Sequence, residues 1–168
     1  PQQRLRDLQL VGGAEADRLA RFAGSAVGYP ADVTLHGRFA EVVREGADRI
    51  AVVAEGGAAL TYGELDRRSN RLAHLLLARG VRRNTLVGLY LERAPEMVIA
   101  MLAVLKAGAG YLPMDPTYPQ ERTRFLLQDA RVSHVVTLAG LAEGLPPTAA
   151  VLVQLDLETQ ALAEMPTG

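Results

Sequence analysis

The chain has 168 residues, enough for one domain with a sizeable core. Hydrophobic residues make up 49% and charged residues 22%, and 18 Lys plus Arg against 19 Asp plus Glu leave a net charge of -1. That balance excludes an electrostatic case for nucleic acid or an anionic membrane as main partner, and the absence of Cys excludes disulfides and thiolate metal sites.

Residues 1–33 differ from the rest. The chain opens on Pro1 rather than Met, which reads as a piece of something longer, a processed start or a trimmed tag. No long apolar run marks a secretory signal or a membrane span. Val11-Gly12-Gly13 and Gly24 to Gly28 are loop-like, and Tyr29-Pro30 favours extended backbone. Between them Ala14 to Phe22 is predicted as a short helix with Leu19 and Phe22 on one face. The whole stretch reads as a linker packing on a neighbour, and residues 34–168 as the domain proper.

From Thr34 onward helical and strand patterns alternate. Leu35, Phe39 and Val42 predict an amphipathic helix over residues 35–45. Ile50 to Ala54 is β-branched and short, a strand that turns at Gly56-Gly57 and pairs back through Ala58 to Leu60. Thr61 followed by Glu64 is a capping box, so a helix runs from Tyr62 to about Arg79. Leu65, Ser69, Leu72 and Leu76 form its stripe, and Gly80 suits a left-handed close.

Leu86 to Leu91 is an apolar run of strand length. Pro95 begins the next helix, where its missing N–H costs nothing. There Val98, Leu102 and Leu105 line one side with Met97, Met101 and Val104 beside them, so this helix is expected to be buried on more than one side. Gly108 ends it. Tyr111-Leu112 is a strand stopped by Pro113. Pro119 opens a helix carrying Phe125, Leu126 and Gln128. His134 to Thr137 is a strand, Leu138 to Glu143 a weak helix and Val151 to Leu155 the last strand. The tail, Glu158 to Gly168, is weakly patterned and expected to fray. This alternation predicts an α/β fold, a mostly parallel sheet with helices on both faces.

The residues that could carry chemistry are few. There is no G-x-x-x-x-G-K-[ST] loop. Gly108-Ala109-Gly110 lacks a third Gly and runs helix to strand, the wrong direction for phosphate on helix N–H groups. His36, His74 and His134 are scattered without ligand spacing and read as structural or surface residues. Ser25 lacks a nucleophile elbow. Asp115 reads as the start of an Asx turn and Glu121 as a first-turn helix acid, in preference to an acid–base pair. Lys106 reads as a helix C-terminal cation complementing the dipole, with phosphate binding the weaker alternative. No catalytic, cofactor-binding or metal residue is assigned.

Two segments carry a resemblance. Leu60-Thr61-Tyr62-Gly63-Glu64-Leu65, followed by Ser69-Asn70-Arg71-Leu72-Ala73, resembles the first core motif of nonribosomal peptide synthetase adenylation domains. Leu105-Lys106-Ala107-Gly108-Ala109-Gly110-Tyr111-Leu112-Pro113-Met114-Asp115 resembles their second, and Pro116 to Arg122 continues like that family. Two positions depart from it: Gly110 stands where Ala is common, and Ala94 where a capping Ser is frequent.

The resemblance covers about residues 34–157 and implies the N-terminal part of an adenylate-forming enzyme. For the whole enzyme it implies activation of an amino acid by ATP with magnesium, then transfer to a carrier-protein phosphopantetheine thiol. Expected partners are the rest of the adenylation domain, an upstream condensation domain joined through residues 1–33, and an MbtH-like protein. A cytoplasmic location and a place in antibiotic or other secondary metabolism go with it. The family's phosphate loop falls beyond Gly168, so this segment is expected to be inactive alone. Its sheet is expected to keep an uncovered edge, favouring self-association. The alternatives are a docking module for a condensation domain or MbtH-like protein, and, with little support, an independent flavodoxin-like or dehydrogenase enzyme.

Overall fold

The structure, a computed structural model, describes residues 11–23, 28 and 32–168. The chain divides into two compact units, Pro1–Val33 and Thr34–Gly168. In the first, helix α1 (Gly13–Phe22) leaves Leu19 and Phe22 exposed. The loop expectations at 24–27 and at Tyr29-Pro30 lie outside the described residues, as does the reading of the first ten.

The second unit starts with α2 (Leu35–Gly46), where the Thr34 hydroxyl accepts from the Gly37 N–H at 3.1 Å. Phe39 packs on the core, but Leu35 is exposed. Strands β1 (Ile50–Val53) and β2 (Ala59–Thr61) form an antiparallel hairpin. The predicted capping box then starts α3 (Tyr62–Ala78). The Glu64 N–H donates to Thr61 Oγ1 at 3.1 Å, and the Thr61 N–H donates to Glu64 Oε2 at 2.9 Å. The Thr61 N–H, and after it the Thr61 hydroxyl, hold the Glu64 carboxyl below its usual range.

Four parallel strands build the main sheet: β3 (Leu86–Tyr90), β4 (Gly110–Met114), β5 (His134–Thr137) and β6 (Val151–Gln154). Their order is β4-β3-β5-β6. Alternation along each strand feeds two cores. On one face Val87, Leu89, Val136 and Val153 meet α3 and α4 (Pro95–Lys106). On the other, Val135 and Met114 meet Leu127 of α5 (Gln120–Asp129). Helices therefore cover both faces, as the α/β reading expects.

Three local expectations need correction, on Pro113, on the α4 stripe and on the tail. Pro113 does not stop β4, which runs to Met114. Because β4 is an outer strand, its missing N–H costs no ladder bond on the open side. In α4 the buried residues are Ile99, Ala100, Leu102, Ala103 and Val104, while Val98 packs on the core only partly buried and Leu105 is not among the buried residues. Phe125 points outward while Thr123 and Leu127 are buried. The tail is not frayed. After the short α6 (Ala139–Ala142) and β6 comes α7 (Thr159–Glu164). Leu162 and Met165 pack on the core, and Arg79 Nη2 meets Glu158 Oε1 at 2.6 Å. A six-residue helix shows too few turns for a period to be read, so packing alone forms it.

Gly80 and Gly108 take φ of +101° and +77°, closing α3 and α4 left-handed. Ala94 caps α4 in extended backbone (φ -138°, ψ 168°) with no side-chain acceptor for the first turn. Ala94→Ser should therefore stabilise the unit by about 0.5–1 kcal/mol, read as a higher urea midpoint with unchanged slope.

Candidate functional site

The two motifs singled out in the sequence meet through one side chain. Lys106 is the only lysine in the chain and the last residue of α4. Its ammonium donates to Asp66 Oδ1 at 2.7 Å, Asn70 Oδ1 at 2.6 Å, Ser69 Oγ at 2.8 Å and the Asp66 carbonyl at 3.2 Å. The Phe39 ring closes the cradle with its centroid 5.5 Å away. Asp66, Ser69 and Asn70 share one face of α3 because residues three and four apart are neighbours there. Ser69 also donates to the Asp66 carbonyl at 3.0 Å, and Asn70 Nδ2 to Asp66 Oδ2 at 3.2 Å.

All the hydrogen-bond partners of Lys106 lie on α3, none among the last carbonyls of α4. The helix-dipole reading of this residue is thus corrected to an interhelix tie. Burial, the larger influence, pulls its pKa below the lysine value, and Asp66 opposes that by hydrogen bond and charge. Three N–H donors facing four protein acceptors leave nothing to offer a phosphate.

At the C-terminal ends of the strands, where α/β sheets usually place ligands, Asp115 follows β4. Its Oδ1 accepts the Thr117 N–H at 2.9 Å and the Thr117 hydroxyl at 2.7 Å, the predicted Asx turn. Those two bonds, the backbone one first, hold its carboxyl below the usual range, with a smaller contribution from Arg93. Beside the turn the Tyr90 hydroxyl donates to the Pro116 carbonyl at 3.4 Å. Burial, and then the Asp115 charge, raise the Tyr90 pKa. Arg122 stacks over Tyr118 at 4.4 Å, and Glu121 lies in the first turn of α5.

The histidines stay apart. His134 is buried between the Arg79 carbonyl, 3.0 Å from Nε2, and the Ser133 hydroxyl, 2.9 Å from Nδ1. His74 Nε2 lies 3.1 Å from the Gly168 carbonyl, and His36 sits on α2. Among the described residues no helix is long and apolar enough to cross a membrane.

Sequence reasoning missed Asp66 and Phe39 as partners of Lys106. A signal existed: Ser69 is a polar residue inside an apolar stripe, and a buried hydroxyl calls for a partner.

A profile of AMP-binding enzymes matches residues 39–166. The chain belongs to this family. Within the AMP-binding enzymes it is part of a nonribosomal peptide synthetase adenylation domain, from the N-terminal side. A linear gramicidin synthase of Brevibacillus parabrevis is 45% identical over 169 residues, 100% of this chain but 3% of that protein. This chain therefore spans only a small share of that relative. The nonribosomal peptide synthetase FmoA3 superposes with a TM-score of 0.77 at 35% identity, over 86% of this chain and 15% of that one. FmoA3 has also been solved in an AMPPNP-bound form. The N-terminal subdomain of Klebsiella oxytoca NpsA matches with a TM-score of 0.69 over 80% of this chain and 33% of that one. At 22% identity it speaks for the fold alone.

In adenylation-domain terms, Lys106 joins the first core motif to the second. Gly110, where Ala is common, lies against Leu86 of the neighbouring strand: an added Cβ would come within 2.9 Å of Leu86 Cδ2.

Proposed function

We propose that this chain is a scaffold segment of its adenylation domain. The whole enzyme activates an amino acid with ATP and magnesium and loads it on the phosphopantetheine thiol of a carrier protein. Residues 1–33 serve as the linker from an upstream condensation domain, and the setting is cytoplasmic secondary metabolism. The Lys106 cradle carries the reading, because this motif lysine spends its donors on holding α3 against α4. Asp115, a carboxylate that could face magnesium, spends one oxygen on the Thr117 turn. These residues do not fit a nucleotide or metal site, and no step is assigned to them. The AMPPNP-bound form of FmoA3 supports ATP as the substrate of the whole enzyme.

The test is ATP–pyrophosphate exchange with this chain and each proteinogenic amino acid. No amino-acid-dependent exchange is expected. A signal that depends on one amino acid overturns the scaffold reading.

A second reading, docking of an MbtH-like protein, is favoured by Phe125. It is 62% exposed on α5 beside Arg122 and Arg124, an aromatic turned away from the core. A purified MbtH-like protein mixed at micromolar concentration should form a complex that Phe125→Asp abolishes. Two separate species in sedimentation velocity would discard it. The same runs report self-association through the β6 edge, where Val151 is exposed.

A further inference from the structure

The chain after Asp156 is held differently from the rest of its unit. From Leu157 to Gly168 no residue is fully buried, although Leu162 and Met165 touch the core. Helix α7 has six residues, too few to stay helical without docking. Between it and the body lies an open cavity of about 340 Å³, with Leu72 and Ile99 on one side and Leu162 on the other. Side chains that border a void lack part of their dispersion contacts. Polar ties at the two ends therefore carry much of the docking. At one end Arg79 Nη2 donates to Glu158 Oε2 at 2.8 Å. At the other, Asn70 Nδ2 donates to the Thr167 carbonyl at 2.6 Å, and His74, one turn further along α3, lies 3.1 Å from the Gly168 carbonyl. The root is fixed, since the Asp156 carboxylate accepts the Ala139 N–H at 2.9 Å.

Asn70 is the residue that both assemblies share. Its Oδ1 accepts from the Lys106 ammonium at 2.6 Å, while Nδ2 donates to Asp66 Oδ2 at 3.2 Å as well as to Thr167. The ammonium can only donate, and the carboxylate and carbonyl can only accept, so the amide satisfies all three in one orientation. Lys106 thereby holds the amide plane that aims Nδ2 at the tail. Its charge also polarises the amide and strengthens Nδ2 as a donor.

We propose that Leu157–Gly168 is a strap that opens as a unit, and that Asn70 couples its closure to the Lys106 cradle. Opening uncovers Leu72 and Ile99. The coupling is reciprocal: whatever draws the strap away also loosens the grip of Asn70 on Lys106, and with it the tie between α3 and α4. It is independent of the scaffold reading, since no catalytic step enters it.

The test is native-state hydrogen exchange of this chain, followed by NMR at low urea. The reporter is the Leu162 amide, which closes α7 by donating to the Glu158 carbonyl at 2.8 Å. Its exchange should be insensitive to low urea, whereas that of Val136, fully buried in β5, should follow global unfolding. Asn70→Leu should speed exchange at Leu162 about fivefold, the worth of one hydrogen bond. Lys106→Met should speed it about threefold, through the amide alone, and add nothing in the Asn70→Leu background. Glu158→Gln should speed it about twofold, and that factor should multiply with the effect of Lys106→Met, because the Arg79 pair shares no atom with Asn70. If Leu162 exchanges only together with Val136, the strap does not open by itself and the proposal falls; this result needs no variant, so the test stands even where a variant misfolds. An unchanged Leu162 rate in Lys106→Met, or the same acceleration with and without Asn70, overturns the coupling.

Discussion

Lys106→Met should cost the Thr34–Gly168 unit about 2 kcal/mol of stability. Methionine keeps the stem in place but removes every N–H that Asp66, Ser69 and Asn70 receive from α4. Two effects compete. Burial disfavours the ammonium, as its lowered pKa says, so removing the charge relieves a desolvation penalty. Against this, the Asp66 carboxylate, 24% exposed, is left without its cation. The second effect wins because breaking one half of a buried pair costs more than replacing both halves. The figure stays below that of a fully buried pair because water reaches Asp66.

Lys106→Met with Asp66→Leu should therefore recover about 1 kcal/mol, a coupling measurable by urea denaturation of the double-mutant cycle. Lys106→Arg should not rescue fully, since a planar fork cannot turn its donors onto four acceptors set around a point. Titration gives an independent check. The folded pKa lies below the ordinary value of 10.5, so between the two the unfolded chain binds more protons. The Lys106 contribution to stability thus rises with pH across that window, up to about 10.5, and should be missing in Lys106→Met. A variant with unchanged midpoint and unchanged alkaline slope would sink the interhelix tie.

Gly88→Val is expected to destabilise by about 2 kcal/mol, with a fall in Tm of several degrees. Strand preference alone argues the other way, because Gly weakens a strand interior by about 0.5–1 kcal/mol. Gly88, however, lies in β3 between Leu112 and Val135, on the face that α5 covers. A Cβ there would come 2.6 Å from Met114 Cε and 3.3 Å from the methyls of Val132 and Val135. Met114 is fully buried, so its terminal methyl can swing only into other core atoms. Overpacking exceeds propensity for that reason. Shortening the neighbour, in Gly88→Val with Met114→Ala, should return part of the loss. If Gly88→Val unfolds at or above the parent midpoint in urea, the close approach is not the constraint we describe.

Much of the fold was legible because its signals are local. The capping box at Thr61 and Glu64 involves residues three apart, and the structure holds both of its bonds. Gly80 and Gly108 close helices in a conformation that other residues resist. Strands β3, β5 and β6 are apolar runs that a sheet covered on both faces requires. The Asx turn at Asp115 spans two residues. The family was legible for the same reason, since its motifs are unbroken stretches of chain.

What failed to show was whatever depends on distant partners. Nothing near Glu158 announces α7, because the tail is held by contacts with residues far earlier in the chain, such as the 2.6 Å bond from Asn70 to the Thr167 carbonyl. Nothing around Leu35 announces its exposure. Lys106 reads as a helix-end cation for as long as α3 is out of view.

Helix starts and stops, the runs that become strands, and the family of the motifs are all written in the residues themselves, since each follows from backbone preferences over a few positions. Which side chains meet is settled by the packed fold alone. Packing set Lys106 in the cradle on α3, turned Phe125 outward, and left the Nε of Arg71 buried. The physical reason is that burial and charge pairing depend on how packed elements approach one another in space, and neighbouring residues along the chain do not specify that approach.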